Sequence, residues 1–408
     1  MDQWRPDDGP ALPLSSSTNN NARIAPWRDP RFRSAVFQGL FAAAILAVLL
    51  FLAWNTASNL ARYNIKVGLQ FLERPAGFDI LQRLIPYTEA SSYGRAFVVA
   101  ILNTLILSAV GIVIATILGF FIGLARLSSN WLVSRLAAIY IETLRNIPLL
   151  LQIFFWYFAI LRPLPGPRQS LTLPGDIFLN NRGLYLPSPV FEAGSGLVEI
   201  ALVVAIIAAI AVYAWAGRRQ AATGQRPPAA RIAAALLIGL PLLAAAATGF
   251  PLSWDRPVLG GFNFQGGVVV IPEFVAMAVA LSTYSASFIA EIVRGGVLSV
   301  PSGQVEAARS IGLRPGPIYR LVVIPQALRA IVPPLTSQYL NLTKNSSLAA
   351  AIAYPELTQI FAGTVLSQTG QPFEVMALTM GVYLSISLVI SWLMNWYNRR
   401  VALRERPA

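Results

Sequence analysis

Five uncharged apolar runs constrain this chain more than any other feature: residues 36–56, 96–125, 201–217, 232–254 and 375–398. Each is close to or above the roughly 20 residues that a helix needs to cross a bilayer. Three further segments, 136–161, 274–298 and 331–353, reach that length with a charge tolerated inside or at the edge, which makes eight spans. Composition agrees, because 55% of the residues are hydrophobic and only 12% are charged, too few charges to coat a soluble domain of 408 residues. The expected fold class is an all-α integral membrane protein with about eight transmembrane helices.

Arginines fix the orientation, since cationic residues beside apolar helices are retained in the cytoplasm. With the N-terminus inside, segments 1–34, 126–135, 217–231, 294–329 and 399–408 hold 20 of the 31 Lys and Arg. The outer segments hold 9, and Arg145 and Lys344 lie within spans. The weakest point is the first outer loop, where Arg62, Lys66, Arg74, Arg83 and Arg95 are only partly offset by Glu73, Asp79 and Glu89. Both termini are expected in the cytoplasm of a multi-pass inner-membrane protein.

Several functions are excluded at this level. The net charge of +13 sits in short interhelical loops and not on one soluble face, so it reads as topology and headgroup anchoring, with no nucleic-acid partner. There is no Cys and no His, which removes disulfides, thiol chemistry and nearly all transition-metal sites, and no cofactor is implied. A P-loop needs a Lys after a Gly-rich turn, and neither Lys66 nor Lys344 has that setting, so the chain is not expected to be an enzyme by itself. The first apolar run begins too late and runs too long for a cleaved signal peptide.

The chain divides unevenly. Residues 1–34, with Ser15-Ser16-Ser17-Thr18-Asn19-Asn20-Asn21, read as a flexible cytoplasmic arm, and 35–93 as a first span with an outer loop. Residues 94–163 and 268–400 hold five helices, with a cytoplasmic loop at 300–330. Between them, 164–267 combines a Pro-rich outer loop with two Ala/Leu/Ile-rich spans joined through Arg218-Arg219 and Arg226-Pro227-Pro228, an inserted hairpin facing lipid. Residues 401–408 form a cytoplasmic tail.

The cytoplasmic loop carries Glu306-Ala307-Ala308-Arg309-Ser310-Ile311-Gly312 and then Ile324-Pro325. A short helix with small alanines on one side can sink into a cleft, and Gly312 lets the chain turn. Two short helices broken by Arg314-Pro315-Gly316-Pro317 are expected there. This loop resembles the Glu-Ala-Ala loop of bacterial ABC importer permeases. Further stretches strengthen the resemblance to polar amino-acid permeases: Leu102-Asn103-Thr104-Leu105, Glu142 to Gln152 around Asn146-Ile147-Pro148, Ala290 to Gly296, Val300 to Gln304, and Leu342-Thr343-Lys344-Asn345-Ser346-Ser347-Leu348. The additional helices and Gly77-Phe78-Asp79-Ile80 resemble the long permease of general L-amino-acid importers.

The resemblance implies a five-helix permease core plus an N-terminal helix and the inserted hairpin. It implies Glu306, Ala307, Ala308, Arg309, Gly312 and Pro325 as the coupling element. The implied partners are a second permease in a heterodimer, two copies of an ABC ATPase that bind ATP and Mg, and a periplasmic amino-acid-binding protein. The cargo would be L-amino acids of broad, polar or charged range. The basic residues Arg309, Arg314, Arg320 and Arg329 would serve partner contact or lipid headgroups equally.

Polar groups inside core helices are the other signal. Glu142 with Arg145, and Glu291 with Arg294, stand three residues apart and are expected to form local ion pairs near the inner surface. An amino-acid zwitterion needs donors for its carboxylate and acceptors for its ammonium. Gln152, Tyr284, Ser287, Lys344, Asn345, Ser346 and Ser347 are the candidates, with Lys344 and the two hydroxyls on the carboxylate. The alternative is that Asn345, Ser346 and Ser347 bond between helices while Lys344 snorkels outward. Two other classes stay open: an ion-driven secondary transporter, which needs an unpaired midplane acid and repeated halves, and a non-transporting assembly or sensor subunit.

Overall fold

A computed structural model describes residues 30–62, 68–225 and 227–401. Two compact units result, Met1–Val67 and Gly68–Ala408. Within the first, helix α1 spans Pro30–Arg62. Most of the expected arm, together with Lys66, Arg226 and the tail beyond Val401, lies outside the described residues.

In the second unit, α2 (Tyr93–Arg126) starts at Ser92, whose side chain accepts the Arg95 N–H and so satisfies a free donor of the first turn. Asn130 does the same for α3 (Trp131–Asn146), accepting from Leu132 and Val133. Helix α4 (Leu149–Phe154) continues as a π helix over Phe155–Leu161. Then come α5 (Ser195–Thr223), α6 (Ala229–Ala247) and α7 (Pro272–Leu298), the last opened by Pro272 and carrying Glu273 in its first turn. Helices α8 (Ser302–Ser310) and α9 (Pro315–Ile318) lead through a π turn, Tyr319–Val323, into α10 (Ile324–Asn345). After a π helix over Thr358–Val365, α11 (Leu366–Thr369) and α12 (Pro372–Val401) complete the chain.

Among the described residues, seven helices are long and apolar enough to cross a membrane. The expected span at 136–161 is a broken one: its two halves, Trp131–Asn146 and Leu149–Leu161, bend by 105°. Pro148 explains the break, since a proline disfavours helical backbone in the residue before it, and Ile147 is extended. If the pair counts as one crossing, the total is eight.

The other differences concern boundaries. The span expected at 331–353 starts earlier: Pro325 opens α10, Pro333 and Pro334 lie within it, and Pro315–Ile352 forms one 38-residue span. The second short helix expected in the 300–330 loop is thus the foot of a transmembrane helix. The insert also contains strands that long apolar windows do not register: β1 (Leu171–Leu173), β2 (Ile177–Asn180), β3 (Gly183–Leu186), β4 (Ser188–Phe191), β5 (Leu252–Asp255), β6 (Val258–Gly260), β7 (Asn263–Gln265) and β8 (Val268–Val270). They form an antiparallel sheet in the order β1-β2-β3-β8 and the pairs β4-β5 and β6-β7. Registers such as Leu184 opposite Val270 and Phe191 opposite Leu252 close the two ends of the insert on each other. The hairpin therefore enters and leaves the core at one place.

Its helices pack through small residues, with Ala205, Ala209 and Ala216 of α5 and Ala229, Ala233 and Ala244 of α6 buried. The core uses the same device. Gly111, Ala115, Gly119 and Gly123 recur every fourth residue of α2, all buried, and a Cβ at Gly119 would lie 2.6 Å from the Ile289 Cβ of α7. Helices approach this closely only where side chains are absent, and dispersion between backbones then replaces the hydrophobic drive that lipid does not supply. At the N-terminal end of α2, Phe71, Ile80, Tyr87, Ala96, Leu357 and Phe361 form one buried cluster, placing the 69–92 loop over the start of that helix.

Candidate functional site

The loop at 300–330 is an elbow with two unlike faces. Ala308 is buried against Ile318 and Val323 on the inner face. Glu306, Ala307, Arg309 and Ser310 point outward. The turn closes with Gly312 N–H on the Arg309 carbonyl at 2.9 Å and Leu313 N–H on the Ala308 carbonyl at 3.2 Å, with Gly312 at φ 80°. That is a Schellman-type helix end, which glycine adopts without the steric cost of a Cβ. Ile311 is 76% exposed and Leu321 64% exposed at this elbow, and among the described residues the Glu306 carboxylate makes no ion pair. Arg309, Arg314 and Arg320 are exposed around it. A small apolar surface rimmed by one free carboxylate and several guanidiniums has the chemistry of a protein-docking surface.

Of the two expected local ion pairs, one forms. Arg294 donates from Nε to Glu291 Oε1 at 3.0 Å. Glu142 and Arg145 do not pair; Arg145 instead sits over the Phe288 ring of α7, 5.1 Å from its centroid. The aromatic face takes the guanidinium away from a carboxylate that is itself exposed.

The expected substrate residues separate into three places. Tyr284 and Asn345 meet in a cavity of about 260 Å³ between α7 and α10, where Ser285, Phe288, Gln338 and Asn341 complete the lining. Ser287, Ser346 and Ser347 donate their hydroxyl protons to the carbonyls of Tyr284, Thr343 and Lys344 within their own helices. Hydroxyls so engaged offer lone pairs and not protons, so they do not form the expected carboxylate clamp with Lys344, which is exposed. Gln152 lies apart from all of these. Its amide donates to the Leu144 and Ile147 carbonyls at 2.9 and 3.0 Å, bridging the bend between α3 and α4.

The sequence reading missed the polar side chains Gln338 and Asn341, which share a face of α10 with Asn345 at spacings of three and four and were legible by that pattern. It also missed Glu356. This carboxylate is buried where the chain breaks after α10, accepting from Thr358 and Gln359 N–H at 2.8 Å each and from Tyr383 O–H at 2.7 Å. It lies in the connection between spans, and burial pushes its pKa up to about 7 against the hydrogen bonds of Thr358 and Tyr383, which pull it down. Asn103 and Thr104 tie the same break to α2. Asn103 donates to the carbonyls of Gln82 and Pro355 at 2.8 Å each, and Thr104 Oγ1 accepts the Leu357 N–H at 3.1 Å. The Asn-Thr pair of α2 is thus the anchor of a helix break beside an open polar groove lined by Thr358, Gln359, Thr364, Ser367 and Gln368. Broken helices with internally satisfied ends are how membrane proteins place polar backbone near a path.

Comparison with known proteins agrees with this architecture. The sequence profile of the family described as binding-protein-dependent transport system inner membrane component matches residues 111–403. The chain is 56% identical over 383 residues to the putative amino-acid ABC transporter permease protein YhdX of Escherichia coli (strain K12), covering 93% of this chain and 97% of that one. It is 53% identical to the general L-amino acid transport system permease protein AapQ of Rhizobium johnstonii, over 93% and 94% of the two chains. Identity is 42% with the glutamate/glutamine/aspartate/asparagine transport system permease protein BztB of Rhodobacter capsulatus, over 93% and 96%. A profile match over most of the chain and near full-length relatives leave one assignment: this multi-pass protein belongs to the family of binding-protein-dependent transport system inner membrane components.

Proposed function

We propose that this chain is the permease subunit of an ATP-driven importer of L-amino acids. The observation that carries the proposal is the exposed elbow at Glu306–Gly312, an apolar and charged docking surface at the foot of α10 in a chain without a phosphate-binding loop of its own. Energy enters through a separate ATPase that grips the elbow. Because α8, α9 and α10 follow one another through the π turn at Tyr319–Val323, movement of the elbow moves the helix that carries Gln338, Asn341 and Asn345. The polar cavity between α7 and α10 and the groove at the helix break supply neutral donors and acceptors for a zwitterion in an otherwise apolar path.

The names of the relatives support amino acids as cargo, and the family description supports delivery by a separate binding protein. A second permease, two ATPase copies, and N- and C-termini in the cytoplasm complete the proposed assembly. Uptake in proteoliposomes tests it: with a catalytically dead ATPase, binding-protein-dependent uptake of labelled L-amino acids is expected to vanish, and with the active ATPase it is expected to resist collapse of ion gradients. Uptake that survives the dead ATPase and disappears with an ionophore would identify a secondary transporter instead.

A further inference from the structure

The inserted hairpin contains a cleft that the transport path does not use. It measures about 420 Å³ and lies between the first turns of α5 and the last turns of α6. Val198, Leu202, Leu242 and Ala245 form its walls, and Phe191 and Leu252, paired across β4 and β5, close its outer end. That volume falls within the roughly 300–1,000 Å³ of ordinary ligand sites. Two features mark it as more than a packing defect. Pro241 inside α6 removes a helical hydrogen bond where the cleft opens. Phe250, which lines the cleft, holds φ at 57°, a backbone conformation that a bulky residue adopts only when its surroundings impose it.

One carboxyl side chain borders this apolar space. Glu199 lines the cleft, and among the described residues it makes no hydrogen bond or ion pair. It stands about 29 Å along α5 from Arg218, at 1.5 Å per residue, so the two charges mark the outer and inner edges of the hydrocarbon. An uncompensated carboxylate at a membrane edge calls for a cation that can reach it from the lipid side. The apolar walls call for a hydrocarbon chain. Anionic headgroups would be repelled, and a quaternary ammonium has no N–H to donate to the carboxylate.

We propose that the α5–α6 cleft binds the acyl chain of a phosphatidylethanolamine-type lipid of the outer leaflet, whose primary ammonium pairs with Glu199. The bound lipid fills the cleft and joins the insert to the bilayer at a fixed depth. The test is native mass spectrometry of the assembled importer released from nanodiscs holding equal amounts of phosphatidylethanolamine, phosphatidylglycerol and phosphatidylcholine. Retention of phosphatidylethanolamine over the other two is expected, and Glu199→Gln should lower that preference by roughly fivefold, the scale of one exposed ion pair. Ala245→Phe, which fills the cleft, should reduce retained lipid whatever its headgroup. An unchanged preference in Glu199→Gln, equal retention of phosphatidylglycerol, or lipid retention untouched by Ala245→Phe would each overturn the proposal.

Discussion

Gly123→Leu is expected to prevent accumulation of the folded protein in the membrane, and Gly123→Ala to destabilise it measurably. A Cβ at Gly123 would lie 2.7 Å from the Ala290 carbonyl oxygen and 2.9 Å from the Val293 Cβ of α7. Neither atom can rotate aside, because one is backbone and the other is fixed to it. A single methyl forced into such a contact costs about 1–3 kcal/mol. Alanine recovers about 1 kcal/mol through better helix propensity, so its net loss is expected at up to about 2 kcal/mol. Leucine has no such offset for its remaining atoms. Thermal melting of the detergent-solubilised assembly measures both. Gly217→Ala in α5, where nothing lies within 4 Å of the added atom, should melt at or slightly above the wild-type temperature.

Glu356→Ala is the second large effect. It leaves two backbone N–H groups and the Tyr383 hydroxyl without their acceptor in a buried place, each at about 1–3 kcal/mol, so a loss of at least ~3 kcal/mol is expected. The helix beginning at Leu357 would lose its cap, and binding-protein-dependent uptake should fall with it. Glu356→Gln keeps one acceptor and should be milder. It also removes a pH dependence. The folded-state pKa of about 7 lies above the ordinary carboxyl value, so the stabilisation from this group is fully present at acid pH. It is lost as pH rises from about 4 through 7. The melting temperature of the wild type should fall relative to that of Glu356→Gln as pH rises from about 4 through 7. Parallel curves over the whole range would contradict the role given to this carboxyl.

Much of this fold can be read from the residues because a bilayer leaves few choices. Long apolar runs must be helices across it, so the spans follow from length and charge, while their grouping into a five-helix core, a first helix and an inserted hairpin rests on the family resemblance as well. The break at Ile147-Pro148 and the foot of α10 at Pro325 do not follow. A proline reads the same whether it ends a helix, starts one or sits within one as Pro333 and Pro334 do, and only packing decides. The insert's strands are three or four residues long, below what period or propensity can register against neighbouring apolar helices. At the polar sites, residue type was a better guide than geometry. Tyr284 and Asn345 do face a common cavity, yet the hydroxyls of Ser346 and Ser347 turn back to their own helix, a choice that depends on rotamers. Arg145 chose an aromatic ring on another helix over Glu142 on its own, which spacing cannot foresee. Asn103 and Thr104 carried information whose meaning appears only when Pro355 and Leu357, some 250 residues later, are brought beside them.

The central claim is that the elbow at Glu306 is the energy input of a machine whose motor is another chain. The direct measurement is the number of amino-acid molecules taken up per ATP hydrolysed by the reconstituted importer, with liganded binding protein present, for the wild type and for Glu306→Lys. The predicted result is that ATP hydrolysis continues in the variant while uptake per ATP falls by roughly tenfold or more, about 1.4 kcal/mol of lost coupling. An unchanged ratio would mean that Glu306 and its surface do not transmit the motion, and the assignment of the elbow would fail.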